Sequence, residues 1–442
     1  MTDALTTRVA AVLRAHASRE QCLLVGLSGG IDSVVLLHLL ALGVRWPRDR
    51  LSAIHVNHQL SPQADRWAGF CSRLCDRLGL PLQITRVTVA RGNSTEAAAR
   101  AARYDAYSAM HADVVALAHN RDDQAETLLL QLLRGAGPRG LAAMPVRKSA
   151  SGPTPAVLRP LLDVPRSEIL RYARRHRLKW VDDESNEDRT YLRNFLRHDI
   201  LPLLEARLPG SSATLARAAR HQAEASMLLD DLAKRDLGRI AAGKPLHADK
   251  LARLGSVRAR NALRWFLRLN GVAMPEAGHL EEALRQCTGA RRDARVRVDL
   301  GSVELRRFQD ALYLVRPLPP LSPGWSIDWD GRQPLPLPQL GGILRMRRCR
   351  GQGIAMRWLD EDRLTVRVRR GGDAMRLEKR GRSRTLRNLM QEAALPPWLR
   401  ERLPFLCLGN ELAAVPGLGV DVRFQATPSG PGLLPVWTPD RY

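Results

Sequence analysis

The chain has 442 residues, of which 45% are hydrophobic and 26% are charged, a balance that excludes a fibrous or wholly disordered protein. Its 69 basic and 45 acidic side chains leave a net charge of +24, which favours a polyanionic partner such as a nucleic acid. The apolar runs are too short to cross a bilayer and the first residues lack the apolar block of a signal peptide, so we expect a cytoplasmic protein without membrane contact.

Short apolar runs alternate with helical patterns over the first third of the chain. The predicted elements, strand and helix in turn, are 22–27, 34–42, 51–58, 67–78, 83–90, 94–111, 113–120 and 122–134. This alternation is typical of an α/β fold with a doubly wound parallel sheet. Ligands of such sheets bind beyond the carboxyl ends of the strands, so we expect the chemistry in the segments that follow each strand.

The pattern changes twice in the rest of the chain. A helical stretch and a polar segment precede a region predicted to be wholly helical from about 208 to 288, which ends in short strand-like runs. Seven prolines between 317 and 338 suit an inter-domain connection. These shifts predict four parts: a catalytic domain 1–208, a mostly helical substrate-binding domain 209–317, a proline-rich linker 318–341 and a small basic α+β domain 342–442.

The run SGGIDS, which begins at Ser28, lies between the first predicted strand and the following helix. Gly29 and Gly30 allow a backbone with positive φ that approaches an anion closely, and the free amides at the helix start favour negative charge. Ser28 and Ser33 add hydroxyl donors, while the acidic Asp32 suits a Mg²⁺ ligand beside a phosphate. The alternative is a plain strand–turn–helix junction with polar caps. The chain has no Walker A sequence.

Four titratable side chains cluster where the fourth predicted strand meets its helix. His119, Asp122, Asp123 and Glu126 fall on one broad face at helical spacing. Acids at a helix start are partly explained by the helix dipole, yet an acidic pocket beside a nucleotide site would suit a cationic co-substrate. An amine must lose a proton before it attacks, and either a carboxylate or His119 is a candidate acceptor.

These motifs resemble a known family. SGGIDS after a first strand resembles the PP-loop ATP pyrophosphatases (adenine nucleotide alpha hydrolase-like fold), whose loop holds the pyrophosphate end of ATP while the α-phosphate is attacked. Within this family, six blocks of the sequence resemble the tRNA(Ile)-lysidine synthetases: 54–60, 96–104, 119–144, 159–169, 183–204 and 384–421. The one departure is Asn120, where another histidine is common.

The resemblance implies an ATP-dependent ligase that forms a C–N bond on a tRNA. The C2 carbonyl oxygen of the wobble cytidine in tRNA(Ile) is adenylated with release of pyrophosphate. The ε-amine of free L-lysine then displaces AMP and gives lysidine. Implied substrates and cofactors are therefore ATP, Mg²⁺, free lysine and tRNA(Ile).

The resemblance also distributes roles among the candidate residues. The ATP-binding set is Ser28, Gly29, Gly30, Ile31, Asp32, Ser33, His55 and Arg103, with Asp32 nearest Mg²⁺. The catalytic candidates are Asp32, His119 and Asp122, and the lysine ammonium is assigned to Asp123 and Glu126 with Asp122 as substitute. Arg193 and Arg197 are expected to meet ATP or the tRNA backbone. His55 as a core histidine, and Arg103, Arg193 and Arg197 as solvated helix arginines, remain alternatives.

The C-terminal part is strongly basic. Between 345 and 387 there are 14 Arg and one Lys against five acids, and arginine pairs bidentately with phosphate. The expected tRNA-binding residues are Arg376, Lys379, Arg380, Arg382, Arg384 and Arg387. The resemblance assigns this part to the acceptor stem and the helical part to the anticodon arm. Trp398 and the pair Pro396 and Pro397 are expected to pack.

Two other functions stay open at this point. A tRNA thiolase shares the PP-loop, but such enzymes need cysteines near the loop or paired for an iron–sulfur cluster, and the six cysteines here include no CxxC. A basic RNA-binding protein with a relic nucleotide fold is the second alternative, against which the intact SGGIDS run argues. The sequence leaves homo-oligomerisation open.

Overall fold

The computed structural model describes residues 3–88, 95–150, 152–291, 294–322, 324–358 and 364–440. The chain divides into two compact units, 1–229 and 230–442. No helix in the described ranges is long and apolar enough to span a bilayer.

The first unit is built around one six-stranded sheet. Its strands are β1 (Leu23–Gly26), β2 (Leu51–Asn57), β3 (Leu82–Arg86), β4 (Val114–Ala116), β5 (Arg147–Lys148) and β6 (Ala156–Leu158). The spatial order is β3-β2-β1-β4-β6-β5, and every pairing is parallel except that of β5 with β6. This confirms the doubly wound parallel sheet. The predicted third strand ends earlier than expected, at Arg86, and residues 89–90 lie outside the described ranges.

Helices flank this sheet, and the longer ones bury an apolar face. They are α1 (Ala4–His16), α2 (Ile31–His38), α3 (Ala64–Leu78), α4 (Thr95–Ser108), α5 (Arg121–Leu133), α6 (Pro138–Leu141), α7 (Arg166–Arg175), α8 (Leu192–Phe195), α9 (Leu201–Arg207) and α10 (Ser211–Leu237), which runs into the second unit. A five-residue π-helix, Leu39–Gly43, extends α2, and another, Leu196–Ile200, joins α8 to α9. In α3, for example, Ala68, Cys71 and Cys75 are buried at helical spacing.

The strand order reverses between β1 and β4. The chain runs outward from β1 through β2 to β3 and then returns to the other side of β1, where Val25 pairs with Ala116. A crevice at the carboxyl ends of the strands opens at such a switch point. The segments that follow β1 and β4 therefore lie beside each other, and these are the two segments that carry the predicted motifs.

The first part of the second unit, within the described ranges, holds three further helices and one antiparallel sheet. The helices are α11 (Ala248–Ala252), α12 (Ser256–Leu269) and α13 (Ala277–Gly289), which pack with the sheet β7-β10-β9-β8. These strands are β7 (Leu246–His247), β8 (Arg297–Asp299), β9 (Glu304–Phe308) and β10 (Ala311–Val315). The prediction of an uninterrupted helical region was wrong at β7, and β9 was not predicted.

The C-terminal part folds around two main sheets, β11-β15-β18-β19-β20 and β12-β13-β21-β14, and a short β16-β17 hairpin. The strands are β11 (Ser326–Trp329), β12 (Leu335–Leu337), β13 (Gly342–Arg350), β14 (Ile354–Ala355), β15 (Leu364–Arg367), β16 (Ala374–Met375), β17 (Arg384–Thr385), β18 (Phe405–Leu408), β19 (Glu411–Val415), β20 (Gly419–Val420) and β21 (Pro431–Pro439), with helices α14 (Leu386–Glu392) and α15 (Pro397–Arg400).

The proline-rich segment 318–341, which was predicted to be a linker, contains two β-strands. Its β11 pairs with β15 and its β12 pairs with β13, so residues within 318–341 belong to the C-terminal sheets. Pro336 in β12 is tolerated because β12 lies at the edge of its sheet.

Candidate active site

The turn after β1 is shaped for close approach of a ligand. Gly29 has a φ of +89°, and a Cβ there would lie 2.8 Å from Cγ2 of Val181. The amide of Val181 donates to the Gly29 carbonyl at 3.0 Å, so the later polar segment packs against this turn. Glycine is thus required at position 29 both for its backbone angle and for space.

Hydroxyl groups tie the turn to the first turn of α2. Ser28 Oγ and Ser33 Oγ are 3.1 Å apart, and Ser33 Oγ donates to the Gly30 carbonyl at 2.9 Å. The helix begins at Ile31 with Gly30 as its N-cap. The amides of a first helical turn have no partner within the helix and attract anions. The arrangement fits the phosphates of a nucleotide.

Asp32 bridges the two strand ends of the switch point. Its Oδ1 accepts a hydrogen bond of 3.1 Å from Nδ2 of Asn120, which follows β4. Burial raises the pKa of Asp32 and the nearby Asp123 adds to this, whereas Arg166, Asn120 and Arg197 oppose it. A carboxylate held in such surroundings is typical of a functional site.

Asn120 was not among the predicted site residues. Its Oδ1 accepts from the amides of Asp122 and Asp123 at 2.9 and 3.1 Å, and Oδ2 of Asp123 accepts from the Asn120 amide at 2.9 Å. This reciprocal capping box fixes the start of α5. The signal in the sequence was an asparagine three residues before an acid at a predicted helix start.

Asp122 and Asp123 face different partners although they are adjacent. Oδ2 of Asp122 accepts from the Arg166 amide at 2.8 Å, so this carboxylate caps α7. Asp123 is buried and turns towards Arg193 and Arg197. The catalytic role of Asp122 stays a prediction, and its position assigns it a structural contact as well.

Four charged side chains form a compact cluster beside Asp32. Glu126, only 1% exposed, accepts from Nε of Arg193 at 2.8 Å and from Nε of Arg197 at 2.6 Å. Asp123 Oδ1 accepts from Nη2 of the same arginines at 3.1 and 2.8 Å. Burial disfavours the charge on both guanidiniums, yet the carboxylates of Asp123 and Glu126 raise the pKa of each arginine. The two acids and two bases balance in charge.

His55, in β2, lies next to the start of the phosphate-binding turn. Nδ1 of the buried His55 lies 2.8 Å from the Leu27 carbonyl, to which it donates, and 3.5 Å from Cys71 Sγ. Burial lowers the pKa of His55. The exposed Arg103 lies on α4 and acts electrostatically on His58. The structure therefore ties His55 to the start of the loop, while the ATP contacts of both residues stay predictions.

His119 and His58 are held in their neutral forms. Burial lowers the pKa of His119 to about 4, with Arg159 and Arg193 adding to the effect and Asp123 opposing it. Burial, Arg103 and His55 lower the pKa of His58 to about 4. Nδ1 of each ring is buried without a hydrogen-bond partner among the described residues. A neutral imidazole with a free ring nitrogen can accept a proton.

These two histidines should make the fold sensitive to acid. In the unfolded chain each histidine has its ordinary pKa of 6.5. In the folded chain the pKa of both rings is about 4, so they stay neutral down to that pH. Unfolding therefore takes up protons between these values, so the free energy of unfolding falls as the pH drops through that window. We expect His119→Asn or His58→Asn to flatten the fall, measured by denaturant unfolding across the window. A slope unchanged in both variants would contradict the assignment.

The basic residues predicted to bind tRNA lie in one short segment of the second unit, 376–387. All six are exposed: Arg376 follows β16, Lys379, Arg380 and Arg382 lie in the β16–β17 connection, Arg384 is in β17 and Arg387 is in α14. Arg384 bonds to Glu392, and the Arg376 backbone amide donates to Asp421 at 3.0 Å. The hairpin thus presents positive charge to solvent while its backbone is anchored.

Comparison with known proteins covers nearly the whole chain. A family model described as the PP-loop domain matches residues 1–204, and models described as the TilS substrate binding domain and the TilS substrate C-terminal domain match 246–313 and 364–437. The tRNA(Ile)-lysidine synthase of Nitrosomonas europaea is 43% identical over 97% of this chain and 94% of its own. That of Chromobacterium violaceum is 44% identical over 94% and 95%. Among solved structures, the U34-tRNA thiolase NcsA from Methanococcus maripaludis is 20% identical with a TM-score of 0.42 over 50% of this chain and 78% of that chain.

Proposed function

The chain belongs to the tRNA(Ile)-lysidine synthase family and is a ligase that forms lysidine on tRNA(Ile) with ATP, and we propose that the crevice at the β1–β4 switch point is where free L-lysine, ATP and the wobble cytidine meet. The observation that carries this proposal is the hydrogen bond between Asp32 and Asn120. It joins the phosphate-binding turn to the helix whose first turns carry Asp123 and Glu126.

The turn and α2 are suited to hold the triphosphate. Gly29, Gly30 and the first amides of α2 surround the position that an anion would take. A magnesium ion would find one protein carboxylate, Asp32, and Mg²⁺ in nucleotide sites takes its other ligands from phosphates and water. Within the described ranges no three metal-binding side chains come together, which agrees with such a site. When bound, the ion would offset negative charge on the phosphates.

The reaction has two displacements. The C2 oxygen of the cytidine attacks the α-phosphorus of ATP, and pyrophosphate leaves. The ε-nitrogen of lysine then bonds to C2, and AMP leaves with that oxygen. The lysine nitrogen must lose a proton, and the neutral His119 or a carboxylate of the cluster takes it.

Lysine binding would rearrange the ion pairs of the cluster. Asp123 and Glu126 already bond to Arg193 and Arg197, so the ammonium group would take over part of those contacts. The freed guanidinium would then face anionic groups, as predicted for these arginines. The exposed basic hairpin, from Arg376 to Arg387, would contact the tRNA backbone, since double-stranded RNA is recognised through shape and phosphates.

Incorporation of labelled lysine tests the proposal. The full chain is incubated with ATP, Mg²⁺, labelled lysine and a tRNA(Ile) transcript that carries the wobble cytidine. We expect label in the tRNA with release of AMP and pyrophosphate, and none with a transcript that has uridine at that position. In a parallel reaction that also contains a labelled sulfur donor, sulfur incorporation without lysine incorporation would favour a thiolase, an alternative that the full-length relatives do not support.

A further inference from the structure

A cavity of about 530 Å³ opens in the second unit. It lies between β8 and β9 on one side and α15 on the other, and its walls include Arg295, Val296, Arg306, Phe308 and Trp398. A second cavity of about 290 Å³ shares Arg306 and Trp398 with the first. Trp398 therefore stands between two adjoining spaces of the size that small ligands occupy.

The ring of Trp398 contacts two aromatic rings and one arginine. Its ring meets Tyr313 edge-on with centroids 5.5 Å apart and Phe308 at 6.3 Å, and the Arg306 guanidinium lies 5.3 Å from its centroid. Nε1 of Trp398 is buried without an acceptor in the described part of the chain. Nε1 of Trp46 and of Trp358 is buried without a partner in the same way, so it is the position of the Trp398 ring beside a cavity that distinguishes this tryptophan.

Arginines are fixed along the same wall. Glu304 accepts from Nη2 of Arg297 at 2.6 Å and lies 2.5 Å from Nη2 of Arg306. The remaining edges of these guanidiniums stay available, because each has five donors. A flat aromatic ring beside planar, positively charged groups is the combination that binds unpaired nucleotides, by stacking on the base and pairing with phosphate.

We propose that this cavity binds an unpaired nucleotide from the single-stranded 3′ end of the tRNA substrate. Bases in stems are already paired and stacked, so they cannot enter. The wobble nucleotide has to reach the phosphate-binding turn in the other unit. A free chain end can enter a cavity without opening a loop, and its base would stack on the Trp398 ring while its phosphate pairs with the arginines. This inference rests on the proposed function.

The test combines variants of the full chain with two substrates. With intact tRNA(Ile), we expect Trp398→Leu to raise the KM for tRNA roughly 10-fold with little change in kcat, the effect of losing one stacked base. With a transcript that lacks its unpaired 3′ nucleotides, wild type should show the same raised KM, and Trp398→Leu should add nothing. Trp398→Phe keeps the ring and should recover most of the affinity.

Trp358 supplies the matched control. Its ring also lies near an arginine, 5.5 Å from Arg357, and packs edge-on against Phe424, but it does not line either cavity. Trp358→Leu should leave the KM for tRNA unchanged. If Trp398→Leu does not fold, Phe308→Leu replaces it. A wild-type KM in the folded cavity variants, or a Trp398→Leu penalty that persists on the trimmed tRNA, would overturn the inference. Absence of lysine incorporation by wild type would instead refute the proposed function.

Discussion

Replacing Asp32 with asparagine is expected to lower lysidine formation about 100- to 1,000-fold, the scale on which a lost electrostatic contact at a reacting centre acts. Asparagine keeps the shape of the side chain, and its Oδ1 can still accept from Asn120. The negative charge beside the phosphate-binding turn is lost. Because the charge is the only large change, the variant separates the chemical role of Asp32 from its contact with Asn120.

The stability of the same variant gives an independent readout. Burial raises the pKa of Asp32, so at neutral pH its charge is less favourable in the folded than in the unfolded chain. Asp32→Asn should therefore unfold at the same temperature as wild type or higher. A residue retained for structure would show the opposite, a loss of stability with activity preserved.

Pyrophosphate release, lysine incorporation and tRNA binding by filter retention together measure the effect. We expect the first two to fall in parallel while tRNA binding stays at its wild-type value, since the basic hairpin is unchanged. Asp163→Asn is the control, because Asp163 is exposed and, among the described residues, pairs with Arg220 on the surface. Activity of Asp32→Asn within about 10-fold of wild type would contradict the role, because removal of such a contact costs more.

The local pattern was enough to predict that the two motifs lie side by side. A buried strand, SGGIDS and a helix start define the turn, and the strand–helix alternation implies a parallel sheet whose strand ends share one edge. The segment that follows β4 had to lie at this edge as well. These inferences need only short-range periodicity and turn chemistry, which is why the parallel sheet and the neighbouring motifs could be predicted.

The partners of the acidic residues could not be predicted in the same way. Glu126 meets Arg193 and Arg197 across 67 and 71 residues, and nothing in the spacing of either segment requires that contact. The packing of Val181 against Gly29 is equally long-range. Strands β11 and β12 were missed because proline content predicts a connection, whereas pairing at a sheet edge tolerates proline.

Loss of one carboxylate from the cluster of Asp123, Glu126, Arg193 and Arg197 is expected to affect both folding and lysine binding. Glu126→Gln should lower the free energy of unfolding by about 3–5 kcal/mol, because a buried pair that loses one partner leaves uncompensated charge. It should also raise the KM for lysine roughly 10- to 100-fold, the range for a lost hydrogen bond to a charged group. Denaturant unfolding and lysine titration at saturating ATP and tRNA measure the two effects separately.

A double variant separates folding from substrate binding in the cluster. Glu126→Gln combined with Arg193→Gln leaves one acid, Asp123, and one base, Arg197, which are 2.8 Å apart. With charge balanced again, most of the stability should return. The KM for lysine should stay high, because the carboxylate that would receive the ammonium is still missing. If lysine binding recovered together with stability, Glu126 would be a structural residue only, and the lysine site would have to be sought among Asp122 and Asp123.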